Sequence, residues 1–172
     1  MTAALPIPVE IEMPNREWRQ VDPDSLGADD AAFAAVRFSF QAENYVPILS
    51  VRGSFRTDPA SLEDIADETR VSLLDQGASV YVVKRTQTGS PRAPALVQLL
   101  EVEANIEGTR FDLYQAQVIE AVIDGDDPRK RIVLIFTVTC KYSQWATVGS
   151  EFRDFIERVV IVPGAEDILA AR

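Results

Sequence analysis

Acidic side chains are the most abundant chemically reactive groups in this sequence, and histidine is absent. The chain has 172 residues, with 27 Asp and Glu, 17 Lys and Arg, one Cys and no His. Histidine has the side-chain pKa nearest neutrality and is the commonest metal ligand in proteins. Its absence excludes Ser-His-Asp and Cys-His catalytic groups and zinc sites bound through imidazole. Proton transfer in this protein would have to use carboxylates, Lys or Tyr.

Two acidic patterns have spacings that could serve a cation. Glu101 and Glu103 share one face if they lie on a strand, and the run Asp124-Gly125-Asp126-Asp127 resembles part of a calcium loop. Hard cations need several oxygens from different elements, and the Asp run lacks the other spaced ligands and the closing Glu. We interpret the Glu pair as a solvated strand face and the Asp run as a hairpin turn. No phosphate-binding glycine loop occurs either, so we expect no metal, no cofactor and no catalytic residue.

The other reactive positions are one thiol and a group of amides. Cys140 lies in an apolar run, where we expect a buried, unreactive thiol. Gln98, Tyr114, Gln115 and Gln117 introduce polar groups into otherwise apolar strands. Buried amides must be hydrogen-bonded, so these four residues either line a wet groove for a ligand or partner, or bond to backbone at a sheet edge. They are the candidate site.

Composition limits the classes of partner. The formal net charge is −10 and the sequence pI is about 4.5, a surface that repels phosphate backbones. We therefore expect no nucleic-acid partner. No run approaches the roughly 18 apolar residues of a membrane span. The first eight residues have neither a basic region nor a long apolar run, and a single Cys cannot form an internal disulfide, so we expect a cytoplasmic protein.

The elements that must position these residues follow from the periodicity of the sequence. Residues 1–15 contain alternate prolines and predict an extended arm. Strands are predicted at 17–21, 31–40 and 48–55. A helix follows Asp58-Pro59, with Asp58 as its N-cap and Gly77 as its end.

The second half predicts four longer strands and a closing helix. The strands cover 78–86, 96–106, 110–123 and 132–140, and the last is apolar on both faces, which favours the centre of a sheet. A two-residue turn after the second of them would place Glu103 opposite Asp112. We therefore predict a four-residue loop, 107–110, which pairs Ile106 with Phe111. A helix at 145–159, an edge strand at 159–162 and a tail at 163–172 complete the chain.

This order predicts an α+β fold in one domain, residues 16–162. Strands joined as hairpins, with two separate helices, indicate a largely antiparallel curved sheet of about six or seven strands packed by two main helices, an αβα sandwich.

The chain resembles the PsbP-like fold superfamily over about residues 16–162. The matching features are Trp18, the segment 45–51, the helix after Asp58-Pro59, the segment 114–117, and the strand 132–139 that leads to Trp145 and the segment 152–156. This superfamily includes the extrinsic photosystem II subunit, a Ran-binding nuclear-transport factor, the bacterial DUF1795 proteins and the actinobacterial LpqN lipoproteins. Most members are non-enzymatic binding, adaptor or assembly proteins, and they share no catalytic residue set.

Two functional hypotheses follow. The first is a non-catalytic binding or adaptor protein that engages another protein through a sheet face or edge, with homodimerisation through the N-terminal arm as a further possibility. The alternative is a small-ligand carrier or carboxylate-based enzyme with a groove between the sheet and a helix. A closed pocket with buried Glu or Asp would favour the alternative, and a filled interior beside an exposed apolar patch would favour the adaptor.

Overall fold

The computed structural model describes residues 4–162, which contain a seven-stranded antiparallel sheet, a two-stranded sheet and two helices. The helices are α1 (Leu62–Asp75) and α2 (Trp145–Arg158). The strands are β1 (Val9–Glu10), β2 (Trp18–Val21), β3 (Phe33–Arg37), β4 (Ile48–Arg56), β5 (Ser79–Gly89), β6 (Pro94–Ile106), β7 (Thr109–Ile123), β8 (Arg131–Lys141) and β9 (Val160–Ile161).

The main sheet has the order β2-β3-β4-β8-β7-β6-β5, so β8 is its central strand. Alternate residues of β8 point to opposite faces of the sheet. Val133 and Ile135 pack with α1, while Phe136 and Val138 pack with α2. The αβα arrangement and the central position of the doubly apolar strand are therefore confirmed. No helix within residues 4–162 has the length and apolar character needed to cross a membrane.

Helix α1 begins three residues later than predicted. Its N-cap is Ser61, which accepts a hydrogen bond from the Asp64 backbone N–H at 3.0 Å, while the Asp64 carboxylate accepts from the Ser61 N–H at 2.9 Å. The predicted cap, Asp58, instead receives two hydrogen bonds from Arg56, at 2.7 and 2.8 Å. These bonds hold the pKa of Asp58 well below its usual range. The Ser-x-x-Asp spacing at 61–64 was the available sequence signal.

The register predicted for the β6–β7 hairpin was wrong. The turn has two residues, Glu107 (φ 51°) and Gly108 (φ 82°), and it places Glu103 directly opposite Asp112. Positive φ at both positions is the primed turn geometry that matches the twist of paired strands. Arg110 offsets the repulsion between these two carboxylates, because its Nη2 lies 2.9 Å from a Glu103 oxygen and 3.3 Å from an Asp112 oxygen.

Two other predicted strands differ in extent or place. The predicted strand 31–40 is strand only over β3, because residues Phe38–Phe40 form a 3₁₀ turn. The last strand, β9, pairs with β1 instead of extending the main sheet. Ile7 in the N-terminal segment is buried in the core on the α2 side. Gly53 of β4 allows this segment to pack closely, since a Cβ at position 53 would lie 3.0 Å from Pro6 Cδ. The predicted tail, 163–172, lies outside the described residues.

Candidate functional site

The four candidate residues separate onto the two faces of the sheet. Gln98, Gln115 and Gln117 lie on the face covered by α1, and Tyr114 lies on the face covered by α2. The division follows from the strand geometry, because neighbouring residues of β7 point to opposite sides. The sequence already indicated this division, because Gln115 and Gln117 are two residues apart on one strand and Tyr114 alternates with them. Each face of the sheet has its own cavity or groove, so the molecule has two candidate sites.

Two of the glutamines belong to a row of hydrogen bonds that runs across the sheet beneath α1. Arg85 Nε donates to Gln98 Oε1 at 2.9 Å, and Gln98 Nε2 donates to Gln117 Oε1 at 2.7 Å. Gln117 Nε2 donates in turn to Thr137 Oγ1 at 3.0 Å. Arg85 also pairs with Asp67 of α1 at 2.7 Å. Gln98 and Gln117 therefore join four strands through side chains. Gln98 Nε2 also donates to the Ala66 carbonyl oxygen at 3.5 Å, and this backbone contact is to helix α1 and not to a sheet edge.

Beside this row lies a cavity of about 740 Å³ between α1, the sheet and the loop around residues 26–31. Its polar lining includes Thr69 from α1 and Gln115, Thr137 and Thr139 from the sheet. Gln115 Nε2 donates to Thr139 Oγ1 at 3.1 Å. In contrast, Gln115 Oε1 and Thr69 Oγ1 are buried without a hydrogen-bond partner within residues 4–162. This hollow, hereafter the α1 cavity, is polar but contains few charges.

The acids considered above as cation ligands and the single thiol do not meet in the α1 cavity. Among the described residues of its lining, one is a carboxylate, Asp30, which pairs with Arg52 at 2.8 Å. Asp124 accepts from the Asp126 backbone N–H at 2.9 Å, as expected for a turn. Cys140 is buried on the other face, and burial raises the pKa of its thiol to about 12. Among residues 4–162, no group of three or more Asp, Glu or Cys side chains is placed to hold a metal ion.

On the opposite face, α2 leaves the strands nearest β5 uncovered and forms a trough of about 560 Å³. The floor comes from β6 and β7, the wall from α2, and the outer rim from β5. The apolar part of the lining is Val97, Leu99, Ala116, Val118, Trp145, Gly149, Phe152 and Ile156, and the polar part is Lys84, Thr86, Thr88, Gln98, Arg153 and Glu157. We call it the α2-side trough. Val97, 40% exposed, lies on its floor. The sequence predicted a helix here but gave no sign that it would leave part of the sheet open.

One end of the α2-side trough is aromatic. Tyr114 lies 4.4 Å from Tyr142 and 5.4 Å from Trp145, measured between ring centroids. Tyr81 of β5 belongs to the same cross-strand row as Tyr114, with Glu101 between them, and it is 66% exposed. Tyr and Trp combine a large apolar surface with a polar tip, which makes them common in interfaces.

An isolated carboxylate, Glu120, lies in a hollow next to the α2-side trough. This hollow shares Val118 and Ile156 with the trough, and Glu120 is the one charged residue in its described lining. Burial among apolar groups raises the pKa of Glu120. No Lys or Arg in the described part of the chain pairs with it.

The antiparallel sheet between two helices is a PsbP-like fold, as the sequence resemblance predicted. A crystal structure of LpqN from Mycobacterium tuberculosis, described as involved in cell envelope biogenesis, superposes with a TM-score of 0.63. The match has 13% identity and covers 90% of this chain and 83% of LpqN. The solution structure of cyanobacterial PsbP from Synechocystis sp. PCC 6803 gives 0.58 at 14% identity, over 90% of this chain and 86% of that one.

Comparison with protein-family profiles returned no match, and comparison with the curated proteins returned none. At these levels of identity the likeness concerns the fold, and function has to be argued from the sites.

Proposed function

We propose that this chain is a non-catalytic binding protein that holds a segment of another protein in the α2-side trough. The observation that carries the proposal is an open, largely apolar surface on a domain whose opposite face is covered by α1. Exposed apolar patches of this kind, edged by polar residues, are typical of protein interaction sites. The aromatic cluster at one end supplies the rigid side chains that commonly dominate binding energy.

The partner segment lies on the sheet face and does not extend the sheet. Strand β5 is a long edge strand, but its pairing with β6 shifts register between Val82 and Lys84, where Val83 forms an irregularity. A bulge and a Lys are features that protect edge strands from pairing with other chains. The floor of the trough, in contrast, offers side chains such as Leu99 and Val97 without this obstacle.

Charge defines the chemistry of the partner. A carboxylate held among apolar groups is stabilised by a cation that enters with its own apolar stem, as Lys and Arg do. Glu120, in the adjoining hollow, therefore favours a basic residue next to apolar ones at that end of the partner segment, whereas Lys84 and Arg153 in the lining of the trough favour an acidic residue opposite them. The net charge of −10 favours a partner that is basic overall, because it attracts such partners over a longer range.

Site-specific photocrosslinking tests the proposal. A photoreactive residue at position 97 is compared with one at position 71, because Val71 on α1 is similarly exposed, at 46%, but lies on the far side of the molecule. In cells that produce the protein naturally, we expect one stoichiometric partner crosslinked from position 97 and not from position 71. The substitution Val97→Asp should abolish co-purification of that partner, and Val71→Asp should not. Equal capture from both positions, or none from position 97, would refute the proposal.

A further inference from the structure

We propose that the α1 cavity is a second binding site, for a small uncharged molecule with an apolar body and at least one N–H or O–H donor. This site is separate from the α2-side trough, since the sheet lies between them. Its volume of about 740 Å³ is within the usual range for ligand pockets, roughly 300–1,000 Å³.

The unpartnered oxygens define the polar part of the ligand. A Thr hydroxyl within a helix commonly bonds to the carbonyl four residues earlier. Thr69 is only 7% exposed, but its Oγ1 has no hydrogen-bond partner in the described part of the chain. Gln115 Oε1 accepts hydrogen bonds and cannot donate, so it requires a donor from the ligand. A buried polar atom without a partner lowers stability, and a ligand that reaches both side chains after a change of rotamer recovers that loss.

The charges of the cavity exclude a charged ligand. Arg52 and Asp30 are the only charged residues in its described lining, and they pair with each other at 2.8 Å. A carboxylate or ammonium group bound deeper in the cavity would lose its hydration without gaining a counter-ion.

The remaining lining accounts for the apolar body of the ligand. Leu73, Val102 and Leu113 form one side of the cavity and belong to a single apolar cluster under α1. Removing the apolar part of a ligand from water against this side supplies binding energy without directional requirements. Hydrogen bonds to Thr69 and Gln115 then fix the orientation of the ligand, because the buried oxygens of these two lining residues have no partner within residues 4–162.

The test uses two probes of equal shape, 4-phenylbenzamide and 4-phenylbenzoate, titrated into the full chain labelled with ¹⁵N. We expect saturable shifts at the backbone amides of Thr69, Gln115 and Thr139 with the uncharged amide, and none with the carboxylate. Thr69→Val, which keeps the side-chain shape and removes the hydroxyl, should weaken amide binding about fivefold, the effect of one hydrogen bond. Thr69→Ser should retain wild-type affinity.

Three results would overturn the inference: equal binding of both probes, binding of neither, or an unchanged affinity in Thr69→Val. The result is also independent of the proposed protein partner. Val97→Asp alters the α2-side trough and should leave amide binding unchanged, whereas Thr69→Val should leave the crosslinked partner unchanged. Failure of one proposal is therefore distinguishable from failure of the other.

Discussion

The substitution Glu151→Gln should strongly destabilise the protein, because Glu151 joins three distant parts of the chain. Its carboxylate accepts two hydrogen bonds from Arg37, at 2.8 and 2.9 Å, and one each from the Trp18 indole and the Asn15 amide, both at 2.8 Å. The side chains of Arg37 and Glu151 are each 12% exposed. This pair therefore fixes α2 against β3 and the segment that leads into β2.

The magnitude follows from the charge that is left behind. Removing one partner of a buried ion pair leaves the other charge uncompensated and costs about 3–5 kcal/mol. Domains of this size have a total stability of about 5–15 kcal/mol, so the loss is a large fraction. Urea unfolding at neutral pH measures it. Asp154→Asn on the exposed side of α2 is the matched control, and it should change the free energy of unfolding by less than about 0.5 kcal/mol.

The fall in the free energy of unfolding at low pH, the acid limb of the pH–stability curve, provides a second test of the same pair. Burial alone would raise the pKa of Glu151, but the hydrogen bonds from Arg37, Asn15 and Trp18 outweigh it, and the pKa lies below the ordinary value of 4.5. The contribution is therefore fully present above that ordinary value and is lost as the pH falls through the lower, folded-state pKa. Glu151→Gln should flatten this part of the curve. A loss under about 1 kcal/mol, with an unchanged acid limb, would refute the reasoning.

Three other predictions concern single side chains. Arg110→Ala should cost about 0.5–1 kcal/mol, more at low salt than at high salt, because it exposes the repulsion between Glu103 and its cross-strand partner; a salt-independent urea midpoint would contradict this. Glu120→Gln should raise the melting temperature at neutral pH and weaken partner binding. The gain in stability should disappear as the pH falls below the ordinary value of 4.5, because a raised folded-state pKa favours the protonated form; a lowered melting temperature at pH 7 would count against it. Gln117→Leu should cost about 1–3 kcal/mol in urea unfolding, because Gln117 is 2% exposed and is hydrogen-bonded through both its oxygen and its nitrogen, whereas Thr69→Val should leave stability equal or higher; the reverse order would disprove the hydrogen-bond assignment.

Most of the fold could be predicted from local patterns. The helical spacing at 62–73 and at 145–159 and the doubly apolar strand at 132–140 depend on side-chain periodicity, which a single segment displays by itself. Turn and cap details were predicted less well, because they depend on which of two neighbouring polar groups is available. Asp58 is hydrogen-bonded to Arg56 and does not cap the helix. Glu103 lies opposite Asp112 because Arg110 contacts both carboxylates.

The candidate site was predicted only in part. The sequence marked Gln98, Gln115 and Gln117 as unusual, and the structure brings them together beneath α1. The sequence did not predict that Gln98 and Gln117 bond to each other while Gln115 Oε1 has no partner among residues 4–162, because that outcome depends on the register of three strands. The α2-side trough depends on where α2 crosses the sheet, and no local pattern specifies this position.

The sequence by itself determined the classes of element, their order and the absence of imidazole chemistry, because these depend on residue type and spacing within short segments. The tertiary structure decided which distant groups meet. Glu151 contacts Trp18 across 133 positions of the chain, and Thr69 reaches the same cavity as Gln115. Such contacts arise from the packing of whole helices on the sheet, which buries some polar groups with partners and others without.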